Sequence, residues 1–118
     1  MHRERVLKIV LVLVGLLFSA LVYPLMTSLR QEPAFAMMLS VYVTLGIFLL
    51  LASRSPATNR SLIAFTAWSS FAHAAVMGVQ VLLSLVPRGE LLGVAVLVAI
   101  GLALIVLAPE PPGERAST

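Results

Sequence analysis

The chain has 118 residues, 60% of them hydrophobic and 11% charged, with a formal net charge of +3. Soluble domains carry about 45–50% apolar and about 25% charged residues, so this composition excludes an ordinary water-soluble domain and points to a membrane protein. Cysteine is absent, which removes disulfides, thiolate metal sites and cysteine nucleophiles together.

A spanning helix needs about 20 apolar residues. Four segments qualify: Val6 to Leu29, Ala34 to Ala52, Leu62 to Val86 and Leu91 to Ala108. The expected fold is therefore all-α, an integral membrane four-helix bundle with antiparallel up-down topology. One transmembrane domain occupies residues 1–108, followed by a Pro-rich cytoplasmic tail, 109–118.

The first segment follows the basic stretch "MHRERVLK" and has the outline of a secretory signal. Its apolar run continues past a typical h-region of about 7–15 residues, and "LFSALVYP" is a poor small-x-small cleavage site, so retention is expected. Pro24 withdraws a hydrogen bond from the carbonyl of Ala20 and predicts a kink in the outer half. Ser19, Tyr23 and Thr27 form an i, i+4, i+8 row on this helix.

Pro33 suits the first turn of the second helix, where its missing N–H is not needed. Ser40 and Thr44 make an i, i+4 pair further along. In the linker "SRSPATNR", Thr58, Asn59 or Ser61 can cap the third helix, which Pro87 is expected to end. The fourth span has no polar side chain and is expected to be peripheral or to face another subunit. The tail "PEPPGERAST" reads as extended or disordered.

Lipid tails are as apolar as leucine, so helices in a bilayer associate through close packing at small residues and through interhelical hydrogen bonds. Ser70, Ala74 and Gly78 form a small-xxx-small ladder on the third helix, and Ala95, Ala99 and Ala103 form another on the fourth. The two predict an antiparallel hairpin of helices three and four. On the third helix Thr66, Ser69, His73, Gln80 and Ser84 recur at helical steps and form a polar stripe. Facing Tyr23, Ser40 and Thr44, that stripe would make a polar seam opening outward.

Charge sets the orientation, because every loop is short. Arg3, Arg5, Lys8, Arg54, Arg60 and Arg115 fall on one side of a four-span arrangement, Arg30 and Arg88 on the other. Both termini are therefore expected in the cytoplasm, with the turns "RQEP" and "PRGE" outside. The basic residues are scattered at helix ends and form no stripe for nucleic acid.

His73 lies near the centre of the third span, and ionisable residues at such depth mark functional sites more often than elsewhere. As a neutral imidazole it can hydrogen-bond across helices and fix the register of the bundle, which is the preferred reading. Two others stand beside it. In one, His73 ligates a tetrapyrrole, with Ser69, Ala72, Ala74 and Ala75 leaving room for a flat macrocycle. A five-coordinate pigment needs that one ligand, whereas a six-coordinate haem needs Met26, Met37, Met38, Met77 or a histidine of a second copy. In the other, His73 titrates at a proton-linked, quinone or small-solute site, although no acidic residue lies within a span to pair with it.

No aspartate is present, so no Ser-His-Asp arrangement exists, and two histidines at different depths cannot share a metal ion. An enzyme is not expected. Small multidrug exporters match in length and helix number but carry a glutamate in the first span, which this chain lacks.

The stretches "RERVLKIVLVLVGLLFSALVYPLM" and "YVTLGIFLLLASRSPATNRSLIAFTAWSSFAHAAVM" include Tyr23-Pro24, a Ser-Arg-x-Pro linker and the Ser-Ser-Phe-Ala-His segment. Over most of Arg3 to Met77 the chain resembles a family of small bacterial four-helix membrane proteins of unknown function. The resemblance implies a bacterial inner membrane and four helices, and brings no activity with it. The expected role is that of a non-enzymatic accessory or assembly subunit of a larger membrane complex, or of a homo-oligomer. The alternative is a cofactor or small-ligand binder built around His73. Partners expected are the lipid bilayer and other membrane subunits, with no cofactor required under the preferred reading.

Overall fold

The apolar stretches become helices in the computed structural model, which describes residues 2–109. In chain order these are α1 (His2–Ala20), α2 (Val22–Ser28), α3 (Pro33–Ala52), a 3-10 turn (Pro56–Asn59), α4 (Arg60–Leu82) and α5 (Glu90–Leu107). Among the described residues four helical stretches are long and apolar enough to cross a membrane: His2–Ser28, Pro33–Ala52, Pro56–Leu82 and Glu90–Leu107. The chain divides into two compact units between Asn59 and Arg60.

The first unit packs α1 against α3. Leu7, Leu11, Val14, Gly15 and Phe18 recur at steps of three and four and line one side of α1. They meet a face of α3 carrying Ala36, Leu39, Leu45, Gly46, Leu49 and Ala52. The rings of Phe18 and Tyr42 touch edge-on at 5.2 Å, while Gly15 abuts Gly46 and Leu50. Partner numbers rise along one helix as they fall along the other, so the pair is antiparallel. Buried Pro56 closes this unit, where the 3-10 turn touches both α1 and α3.

The tightest approach is glycine on glycine. A Cβ placed on Gly46 would stand 2.6 Å from the backbone nitrogen of Ser19 and 2.8 Å from the carbonyl oxygen of Gly15. One placed on Gly15 would stand 2.9 Å from the carbonyl oxygen of Gly46. Backbone meets backbone there, and neither side can yield without moving a helix.

The helix is interrupted where the kink was expected, and Pro24 accounts for the break. With no proline N–H to reach the carbonyl of Ala20, α1 ends at Ala20. Leu21 donates to Phe18 three residues back at 3.1 Å, a tightened turn, and α2 continues the span. Pro33 occupies the first turn of α3, as the sequence predicts. The linker differs from expectation. Thr58 and Asn59 donate their side-chain hydrogens to the carbonyl of Ser55 at 3.0 Å each instead of accepting from the first amides of α4. Helix α4 grows directly out of the 3-10 turn.

In the second unit α4 presents Ile63, Thr66, Ala67, Ser70 and Ala74, and α5 presents Leu97, Ile100, Gly101 and Leu104. Gly93 receives the Met77 methyl, 3.0 Å from where a Cβ would sit, and Gly101 receives the Phe71 ring. Arg60 Nε donates to the carbonyl of Pro109 at 3.2 Å. Met77 with Gly93, Phe71 with Gly101 and Arg60 with Pro109 together show an antiparallel hairpin.

Helix α4 ends at Leu82, earlier than Pro87 would impose. Ser84 takes a left-handed conformation, φ 60°. Its N–H reaches the carbonyl of Val81 at 3.0 Å, and the N–H of Leu85 reaches that of Gln80 at 2.8 Å. This six-to-one closure satisfies the last carbonyls with a serine where glycine is usual. The tail from residue 110 lies outside the described residues.

Gly46→Ala is expected to destabilise the first hairpin by about 1–3 kcal/mol, because the methyl must displace helix backbone. Gly78→Ala, with nothing within 4 Å of its Cβ position, is the neutral control. Denaturation of both variants in the same detergent checks this, and equal stabilities would contradict the backbone-contact argument.

Candidate functional site

The face of α4 around His73 is built from side chains that mostly satisfy themselves on their own helix. Thr66 Oγ1 donates to the carbonyl of Leu62 at 2.9 Å, and Ser70 Oγ donates to the carbonyl of Thr66 at 2.7 Å. Ser69 Oγ donates to that same Thr66 carbonyl at 3.2 Å. In an apolar setting an unsatisfied hydroxyl is costly, and bonding to a carbonyl three or four residues back removes the cost without a partner helix.

Thr66 and Ser70 are fully buried. Thr66 therefore belongs to the packed face with Ser70 and Ala74, while Ser69, His73 and Gln80 lie half-buried on its flank. The stripe and the ladder overlap at Thr66 because threonine is small enough to pack once its hydroxyl is bonded. Ser84 lies beyond the helix end in the closing turn. Of the ladder, Ser70 and Ala74 are buried, and Gly78 has nothing within 4 Å of its Cβ position.

On α5 the alanine ladder lies off the face that meets α4. Ala95 and Ala99 are exposed and Ala103 is half-buried, whereas Leu97, Ile100, Gly101 and Leu104 are buried. Sequence reasoning followed the alanine repeat and missed the glycines. The usable signal was the pair Gly93 and Gly101, eight residues apart and centred on Leu97. Each glycine receives a large side chain of α4. Phe71 is itself steadied by an edge-on contact with Trp68 at 5.4 Å.

The other expected seam residues, Tyr23, Ser40 and Thr44, belong to the first unit and are exposed. Ser40 Oγ donates to the carbonyl of Met37 at 2.6 Å, Thr44 Oγ1 to that of Ser40 at 2.9 Å, and Thr27 Oγ1 to that of Pro24 at 3.0 Å. These hydroxyls too are bonded within their own helices. Ser19 is the exception: its Oγ is buried with no hydrogen-bond partner among the described residues. The methionines weighed as haem ligands divide between the units, with Met26 and Met37 exposed and Met38 and Met77 half-buried. Among the described residues no group of three His, Cys, Asp or Glu side chains lies close enough to hold a metal ion.

Two antiparallel hairpins of apolar helices, long enough to cross a bilayer and with the hydroxyls of Thr27, Ser40, Thr44, Thr66, Ser69 and Ser70 bonded to their own helices, define a class of small helical proteins compatible with a membrane. The chain belongs to a family of unknown function, DUF6632, whose profile covers residues 2–117. No curated protein and no solved structure matches it. The family match takes in α5, for which the sequence resemblance supplied nothing.

Ser19→Ala removes a buried hydroxyl that has no partner among the described residues. It is expected to leave the first hairpin as stable as before or to stabilise it by about 1 kcal/mol. A loss of stability on denaturation would show that Ser19 Oγ is engaged.

Proposed function

We propose that this protein is a multi-pass component of a bacterial inner membrane with both termini in the cytoplasm. It acts without chemistry of its own, through helix contacts, as an accessory or assembly subunit of a larger membrane complex or as a homo-oligomer. The observation that carries this reading is the small-residue row on α5, where Ala95 and Ala99 stay exposed after the hairpin has formed. The span is the most apolar of the four, with mean hydropathy 2.8, and just 17% of it is buried. In a bilayer, exposed small residues on such a helix let another helix approach closely. The orientation rests on the distribution of arginine and lysine, six against two across the bilayer.

The intrahelical bonding of the hydroxyls supports a packing role over a polar binding site. Thr66, Ser69 and Ser70 are already satisfied within α4, so a ligand at His73 would find few donors from that helix.

The test is the size of the full-length protein, purified in a mild detergent, beside its Ala99→Leu variant. The wild-type protein is expected to run as an assembly larger than one chain. The variant is expected to lose that assembly while keeping its helix content and its membrane retention. A colourless wild-type monomer would overturn the assembly reading. An absorption band in the Soret or pigment region that disappears in His73→Ala would replace it with a tetrapyrrole site.

A further inference from the structure

The turn between α4 and α5 forms a half-open surface cavity of about 400 Å³ lined by Val81, Leu82, Ser84, Val86, Arg88 and Leu91. Four of these side chains are aliphatic, one carries a hydroxyl and one a permanent positive charge. Among the described residues the Arg88 guanidinium makes no hydrogen bond or ion pair. Glu90, two residues on, neither pairs with it nor lines the cavity. Ser84 sits there in a left-handed conformation that costs a non-glycine residue about 1 kcal/mol. Strain of this kind is retained where surrounding structure imposes it, and it often accompanies binding sites.

We infer that this cavity is a binding site for the headgroup of an anionic phospholipid, and the inference rests on the membrane reading above. A turn joining two spans lies at headgroup depth. The Arg88 guanidinium can take a phosphodiester through paired N–H groups, and Ser84 Oγ can donate to a remaining oxygen. Val81, Leu82 and Leu91 offer aliphatic surface to the start of an acyl chain, and Leu82 and Leu91 are both exposed. The lining holds one cation and no carboxylate. A zwitterionic lipid would bring an ammonium group for which the lining offers no carboxylate, so the net-negative headgroup is preferred.

The experiment uses the full chain in detergent and measures retained lipid by native mass spectrometry, with phosphatidylglycerol against phosphatidylcholine. The wild-type protein is expected to retain phosphatidylglycerol in preference. Arg88→Gln is expected to reduce that preference about fivefold, the order of one basic residue's attraction to anionic lipid. Arg30→Gln, the same charge change at the other outer turn, is expected to leave it intact. Val86→Trp fills the cavity without altering charge and is expected to weaken retention as well. An unchanged Arg88→Gln protein, or an equal loss in Arg30→Gln, overturns the site. Displacement of the lipid by millimolar inorganic phosphate overturns the lipid as its occupant. The membrane reading fails separately, if alkaline carbonate releases the wild-type protein from membranes.

Discussion

The first hairpin depends on one approach, where the carbonyl of Gly15 and the backbone at Gly46 meet with no side chain between them. For helices apolar enough to cross a bilayer, greasy surface would gain nothing by leaving lipid for a protein interior of equal polarity, so in that setting attraction would have to come from short-range contacts. Two glycines bring helix backbones near enough for dispersion and weak Cα–H to carbonyl contacts to act. Everything else on the α1 to α3 face, from Leu7 to Phe18 on one side and Ala36 to Ala52 on the other, is set in register by that crossing. The second hairpin reaches the same end differently. Its glycines on α5 receive whole side chains, Met77 and Phe71, as knobs into recesses.

Hydrogen bonding plays a complementary part. Thr27, Ser40, Thr44, Ser53, Thr66, Ser69 and Ser70 all donate to carbonyls three or four residues earlier in the chain. Hydroxyls arranged this way make a helix tolerable to hydrocarbon without tying it to a neighbour. Polar residues in these spans therefore do not by themselves trace an interhelical seam. Helix-to-helix specificity is left to shape.

The four apolar stretches and the proline-induced break in the first were legible in the sequence, while the α4 to α5 hairpin was expected rightly but from a ladder that does not form its contact. Each depends on local chemistry or on a periodicity within one segment. Pairing was harder to read. Gly15 and Gly46 sit in ordinary leucine-rich runs, and their partnership appears only when two distant helices are juxtaposed. The alanine row on α5 was the more conspicuous pattern, yet Gly93 and Gly101 form the seat for α4, because a phenyl ring needs more space than a methyl leaves. The end of α4 was misjudged for a similar reason. Pro87 forbids continuation, but Ser84 had already closed the helix through a conformation seldom expected of serine.

The division of the chain at Asn59 and Arg60 has a kinetic consequence. Within each unit the deciding partners, Gly15 with Gly46 and Phe71 with Gly101, are about thirty residues apart, so closure demands a short loop and little search. The partners that pair α1 with α3 all precede Arg60, so the amino-terminal hairpin can close while the remainder of the chain is still being synthesised. In the carboxy-terminal pair Arg60 at the start of α4 bonds the carbonyl of Pro109 just past α5, so the contact that ties its two ends needs the whole of that hairpin.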